Sequence, residues 1–256
     1  MRLFANPQGS CVTTLEGLIY GRPPGKLPRK LVGFLSVVQI RVEQPEPGLY
    51  RSTQIEAMTW LDLATRKPLG PWLNPYTGST EIPVGFASPR NIYHFDTTGS
   101  YGAKLPPVRS GRLDLDWRTT GEDIWVTETR PNSFPSGITE AEFPRAYVSP
   151  TRESVDILTY RASQTDFRRP GFVSGQLNML SDTPWPLWMM MGRRPGGGLW
   201  QGFGTKYRTL ADVPAVNREI IDMAYPGFLL DPWKFPAAEW GTAAQLRRLK
   251  AQGKIR

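Results

Sequence analysis

The sequence carries one cysteine, Cys11, and one histidine, His94, in 256 residues. A single thiol excludes an internal disulfide, and a lone imidazole leaves only carboxylates to complete a metal site, so no metal is expected. No apolar run approaches the roughly 20 residues that a membrane-spanning helix needs, so no membrane partner is expected. The N-terminal stretch lacks the apolar centre of a signal peptide, which leaves the cytoplasm as the expected location. A G-x-S-x-G elbow, a phosphate-cradling Gly-Lys-Thr loop and a dinucleotide fingerprint are all missing. Gly202-Phe203-Gly204-Thr205-Lys206 has the wrong spacing to replace them. No cofactor is expected. Internal repeats and low-complexity tracts are absent as well.

What is present favours β-structure. The chain is 39% hydrophobic and 11% aromatic, enough for a sizeable core, and its 25 Gly and 25 Pro are scattered. That pattern suits many short strands joined by tight turns. The net charge is +8, but the basic residues are dispersed. Their densest cluster, Arg247-Arg248-Leu249-Lys250 with Lys254 and Arg256, reads as a solvated helix end, and no nucleic-acid partner is expected.

Taken in order, Val12 to Tyr20, Leu31 to Val42 and Leu49 to Leu61 are expected strands. In the third, Leu49, Ile55, Ala57 and Leu61 share one face; Tyr50, Gln54, Glu56, Met58 and Trp60 share the other. A face mixed in this way suits a barrel with a partly polar interior. Glu81 to Phe86 forms a further strand. Leu113, Leu115 and Trp117 alternate inward, and Gly121-Glu122-Asp123 turns that strand into Ile124–Arg130. Residues 131–150, with four prolines, read as a long loop. Ser154–Ser163 and Gly175–Leu180 are strands. After Tyr207 the pattern becomes helical, with Asp212 as an N-cap, Pro214 in the first turn and a second helix from Pro236 to Gln252.

The most unusual stretch runs from Asp182 to Tyr207. Pro184 to Met191 holds no charge and packs Trp185, Trp188 and three methionines together, so it is expected in a core or against a ligand. Further on, Trp200, Gly202, Gly204, Lys206 and Arg208 fall on one face of a strand. Two alternate glycines there leave a bare patch suited to a ligand, or else ease a sharp bend.

Three blocks carry a family resemblance. They are Gly17-Leu18-Ile19-Tyr20 with Leu31–Ile40; Trp72-Leu73-Asn74-Pro75-Tyr76-Thr77-Gly78 continuing to Asn91; and Trp185 to Pro195-Gly196 through Gly204-Thr205-Lys206. Together they resemble a mostly bacterial family named domain of unknown function 1838. The resemblance spans nearly the whole chain and implies one domain, with a longer N-terminal segment in other members. It also implies Asn-Asp-Pro-Val-Asn where this chain has Ala87-Ser88-Pro89-Arg90-Asn91. It assigns no activity.

Candidate chemistry rests on a few residues. In a strand, His94 and Asp96 share a face, so the carboxylate is placed to orient the imidazole for acid–base work, with Tyr93 beside it; the structural alternative is a packed histidine. Lys206, at the edge of the glycine patch, is a candidate base or imine-forming amine if desolvated, or a lysine reaching solvent if not. Asp114 and Asp116, flanked by Arg112 and Arg118, read as a solvated ion-pair ladder. Glu128 and Arg130 share a face with Ile124 and Val126, and form a buried charge pair if that face turns inward. Trp72, Asn74, Tyr76, Asn91, Trp188, Met189, Met191, Trp200 and Tyr207 are candidate ligand contacts.

The expected architecture is a single mainly β domain over residues 1–256. It is an antiparallel barrel of lipocalin-like form, with residues 209–256 as a helical cap. The expected function is to bind a bulky aromatic or apolar small molecule and transform it by cofactor-independent acid–base chemistry of lyase or isomerase type. A non-catalytic carrier and a protein-interaction module are the alternatives, and a homo-oligomer is left open.

Overall fold

Segments rich in β-branched and aromatic residues, punctuated by Gly and Pro, fold as strands. The computed structural model describes residues 1–88, 90–96, 99–101, 112, 113 and 115–255, with residues 96, 99–101, 112 and 113 through their backbone alone. The chain opens with three long strands, β1 (Ser10–Arg22), β2 (Arg29–Glu46) and β3 (Leu49–Leu61). Short ones follow: β4 (Trp72–Leu73), β5 (Thr80–Glu81), β6 (Phe86–Ala87), β7 (Asn91–Asp96), β8 (Gly99–Tyr101), β9 (Arg112–Leu113) and β10 (Leu115–Thr120). Long strands return as β11 (Asp123–Pro135), β12 (Thr151–Ser163), β13 (Gly175–Thr183) and β14 (Gly197–Tyr207), with the short helix α1 (Gln164–Arg168) after β12. Helices α2 (Ala215–Ala224) and α3 (Thr242–Ala251) end the chain.

One large sheet has the order β10-β11-β12-β13-β14-β1-β2-β3-β7-β8-β9, with β6 also on β3, while β4 and β5 form a separate pair. Its pairings among the described residues are antiparallel. The expected mainly β, antiparallel architecture with C-terminal helices is therefore present. Gly48 takes φ +81 in the turn between β2 and β3, a backbone that a side chain would strain. The two ends of the order, β9 and β10, are consecutive in the chain with only position 114 between them.

Pleating sends alternate residues to opposite faces. On β1, β2 and β3 one face presents Val12, Leu35, Val37, Ile55, Ala57 and Leu61, covered by Val213, Ile220, Ile221, Tyr225 and Phe228 from α2 and its flanks. The Tyr225 hydroxyl donates to the Met58 carbonyl at 2.6 Å, fixing that cover to the sheet. The opposite face we call inner. Its apolar residues Ile19, Val32, Phe34 and Trp60, near one end of their strands, pack against Trp185, Trp188 and Met189, with Phe143 and Leu246. Toward the other end, Leu3, Phe4 and Val173 pack on Tyr93, Phe95, Val126 and Ala162, and Ala5 packs on Cys11, Ile40 and Val42. Fully burying an apolar side chain of this size is worth about 1.5–3 kcal/mol, so these layers dominate stability.

Some expected boundaries move. β11 continues to Pro135, so the proline-rich connection begins after it. The face carrying Leu115 and Trp117 pairs with Glu128 and Val126, yet Trp117 at the sheet margin keeps 47% exposure. Asp212 does not cap α2. It closes a 3-10 turn, Leu210–Asp212, by accepting from the Thr209 N–H at 2.9 Å and hydroxyl at 2.8 Å. Pro214 then keeps the backbone extended (ψ 134), so α2 starts only at Ala215. The second expected helix divides into a 3-10 turn, Ala237–Trp240, and α3.

Candidate functional site

The inner face carries a band of ionisable side chains. Glu128 and Arg130 alternate on β11, so both point to that face, and Asp156 of β12 is the register partner of Arg130. Glu128 is 1% exposed and accepts a hydrogen bond from the Arg130 guanidinium, whose side chain keeps 22% exposure. A second guanidinium nitrogen, Nη1, donates to the Tyr93 hydroxyl at 3.0 Å, with Arg130 lying 5.0 Å from that ring's centre. Tyr160 donates to Glu128 Oε1 at 3.4 Å. Asp156 accepts from Asn132 Nδ2 at 2.7 Å and from the Ser181 hydroxyl. Glu56 of β3 accepts from the Ser36 hydroxyl at 2.6 Å. Met58, Trp60, Leu158, Met179 and Trp200 occupy neighbouring positions of the same face.

Electrostatics divide the roles. Burial raises the Glu56 pKa above the usual carboxylate range, and Asp156 adds to this against the opposing Ser36 bond and Arg130. Glu56 is thereby biased toward its neutral, proton-donating form. Burial raises the Tyr93 and Tyr160 phenols too. For Arg130 burial acts against the charge, but Glu128, Tyr93, Tyr160 and Asp156 outweigh it and hold the guanidinium above its ordinary value. Glu56, Asp156 and Tyr160 are half-buried. A neutral carboxyl, two phenols and a fixed cation can move a proton and stabilise a developing oxyanion.

The residues singled out from sequence fall into several places. Tyr93 belongs to the cluster. His94, paired with Arg51, takes the opposite face of β7 by alternation, half-buried on the outer side. Asp96 pairs with Gly99 through its backbone, its side chain lying outside the described part, and Asp114 is outside the described residues altogether. Asp116 pairs with Arg118 at 2.6 Å, both more than half exposed, as a solvated ladder requires. Asn91 sits at the start of β7 opposite Gln54, half-buried.

The two family-like blocks at 72–78 and 185–196 meet. Asn74 is fully buried and donates to the Met189 carbonyl at 2.7 Å and to the Met191 sulfur at 3.3 Å. Trp72 contacts Trp188 edge-on at 5.4 Å, Tyr76 packs on Trp185 at 5.3 Å, and Trp188 meets Trp60 at 5.3 Å. Trp185, Trp188 and Met189 are at most 1% exposed. Trp200 is half-buried on the inner face, with its indole N–H on the Thr183 hydroxyl at 2.8 Å, whereas Phe203 on the outer face is 60% exposed. The aromatic and sulfur side chains of this stretch therefore split between a packed end layer and both faces of β14. Beside that layer, Thr77, Ser79, Arg145, Met190, Met191 and Arg194 line a pocket of about 340 Å³.

Above Gly202 there is no bare patch: an added Cβ would lie 3.0 Å from both Leu15 and Phe34. Lys206 is 4% exposed, and burial pushes its pKa down to about 8. Its ammonium donates to the carbonyls of Arg2 at 2.5 Å, Leu3 at 3.1 Å and Ala5 at 3.3 Å, pinning the N-terminal segment to the sheet. Tyr207 packs half-buried under the helical cover. The residues that sequence reading left without a role were Glu56, Asp156 and Tyr160. Each stands at an inward position of an alternating strand, which marks a face but not its neighbours.

No curated protein matches the chain. A family model does match, over residues 9–245, nearly the whole sequence, and the chain belongs to that family, described as Protein of unknown function (DUF1838).

Proposed function

We propose that the sheet closes through residues 112–120 into a barrel, and that its interior binds a small molecule with a bulky apolar body and transforms it by acid–base chemistry. Two observations support closure. β9 pairs with β8 while the adjoining β10 pairs with β11, so one short stretch of chain serves both margins. Arg130 on β11 also reaches Tyr93 on β7 at 3.0 Å. Those strands are seven steps apart in the order, about 34 Å on a flat sheet.

The observation that carries the chemistry is the convergence of Glu56, Glu128, Asp156, Arg130, Tyr93 and Tyr160 on one partly accessible face. A band so rich in buried charge costs stability unless a use offsets it. In this reading neutral Glu56 delivers its proton to one position of the substrate and then, as the carboxylate, recovers one from another, as in an isomerisation, or delivers it as a bond breaks. Tyr93 receives a hydrogen bond from Arg130 and keeps its own O–H for a substrate oxygen, so charge developing there meets a phenol backed by a cation. Trp60, Met179 and Trp200 offer apolar contact for the rest of the molecule.

The test is a tryptophan-fluorescence and thermal-shift screen with lignin-type aromatics, steroids and fatty acids, followed by product analysis for each binder. A binder converted by wild-type protein, bound but not converted by Glu56→Gln, supports the proposal. A binder always returned unchanged replaces it with a carrier, and no binder in any class ends it.

A further inference from the structure

Several guanidinium groups of this fold have carboxylate partners, although the half-buried Arg2 and Arg218 have none among the described residues. Arg130 pairs with Glu128, Arg145 with the 3% exposed Glu81, and Arg161 with Asp123 at 2.5 Å. Arg152 does not. Its Nη2 donates to the main-chain carbonyls of Trp185 at 2.9 Å and Pro184 at 3.5 Å, while Nε is out of solvent with no hydrogen-bond partner. Among the described residues no carboxylate forms an ion pair with it, and its guanidinium lies 5.9 Å from the Phe134 ring centre. Burial pushes its pKa down to about 10, with no opposing charge to restore it.

The position of Arg152 gives this imbalance a direction. On β12 it shares the inner face with Ser154, Asp156 and Tyr160, and it pairs across to Phe134 at the end of β11. Asp156 is four residues along, roughly 13 Å, with the Asn132–Ser154 rung between them. Arg152 thus stands at the rim of the face whose deeper part holds the Glu56–Arg130 cluster, beside the Trp185 layer. Serving as a clamp for two carbonyls explains Nη2 but leaves the bare Nε–H and the unmatched charge unexplained. A carboxylate, phosphate or sulfate approaching the half-exposed guanidinium would supply the counter-charge that it lacks, in the planar geometry that guanidinium favours.

We infer that the ligand of the inner face carries an acidic group, received by Arg152 at the rim, about 13 Å from the part of the molecule that meets the polar cluster. This rests on the interior-ligand reading above and narrows it to acids with an extended apolar body. Arg152 is a positioning and specificity residue here; the reacting atoms belong to the deeper cluster. The net charge of +8 also favours the approach of acidic molecules.

The experiment compares 6-phenylhexanoate with its neutral isostere 6-phenylhexanamide, by fluorescence titration and calorimetry. The acid is expected to bind wild-type protein at least about tenfold more tightly than the amide, the size of one charge-assisted contact. Arg152→Met is expected to bring that ratio near one with amide affinity unchanged, and Arg152→Lys to restore part of it. Arg118→Gln, in the exposed pair with Asp116 on the outer side of β10, is expected to keep the preference. Equal affinity for acid and amide in wild type overturns the inference while leaving interior binding intact, as does a preference that survives Arg152→Met. If neither probe binds while the wider screen finds a neutral binder, this inference is overturned and the interior-ligand reading stands; if the wider screen is empty too, both fail. Should Arg152→Met not fold, the wild-type ratio and the lysine variant decide.

Discussion

Strand β3 has two faces of opposite chemistry, built from alternate residues of one segment. On the outer face, Ile55, Ala57 and Leu61 lie under Ile221 and Phe228, apolar against apolar, complete without any further molecule. On the inner face, Gln54, Glu56, Met58 and Trp60 mix charge, amide, sulfur and indole, and Glu56 lies where burial disfavours its charge. The outer arrangement is what stability alone would select. Burying carboxylates costs several kcal/mol per ion, and apolar replacements of similar volume are often as stable or more so. The difference is what the proposed interior site rests on.

The comparison can be broken from either side. The largest effect is expected on the outer face. Phe228→Ala, at a site with no exposed surface, should cost about 4 kcal/mol in urea unfolding while leaving inner-face ligand affinity unchanged. A large change in affinity with it would mean that the two faces are not separable. Next is Glu128→Ala, which strands Arg130 without its anion and should cost about 3 kcal/mol. Glu128→Leu combined with Arg130→Met should recover most of that loss, because the pair is replaced together. Failure of the double variant to recover would show that the pair itself stabilises the fold.

Lys206→Met should cost about 1–3 kcal/mol, since three carbonyls of the N-terminal segment lose their donor. The pH dependence adds a signature. The folded pKa of about 8 lies below the ordinary 10.5, so the unfolded chain binds more protons between those values. Stability from this residue should rise with pH from about 8 to about 10.5 in wild type, and that rise should vanish in the methionine variant. The smallest effect is expected for Glu56→Gln, within about 1 kcal/mol because the amide keeps an acceptor for Ser36. Its sign in pH is opposite to that of Lys206. A raised folded pKa means that stability from Glu56 is present below 4.5, the ordinary value, and is lost as pH rises through the raised one. Melting temperature against pH should lose that decline in the variant; an unchanged profile would show that Glu56 titrates normally.

Much of this was legible beforehand. The two faces of residues 49–61 could be written out from alternation alone, and the mixed face is the inner one. Glu128 and Arg130 were readable as a pair because residues two apart in a strand share a side. The uncharged run from Pro184 to Met191 was readable as buried because it offers nothing for water to hold. The choice between Tyr93 and His94 was not legible. Alternation separates them, but both faces of β7 suit their residue types, so only packing against Phe4 and Arg130 shows which side is inner. Nor was the fate of the alternate glycines, because the side chains that fill the space above Gly202 come from β1 and β2.

The sequence by itself determined the class of structure: antiparallel strands from two-residue periodicity, turns from Gly and Pro, and helices after Tyr207. These depend on neighbours a few residues apart, where covalent geometry limits the outcomes. The tertiary structure decided the site. Glu56, Tyr93, Arg130, Asp156 and Tyr160 are spread over about a hundred positions of chain. Only the sheet's order and curvature set one beside another and leave Arg152 without a counter-ion among the described residues. Hydrogen bonds between 3 Å neighbours and the loss of hydration that shifts a pKa are properties of contact in space, for which distance along the chain carries no signal.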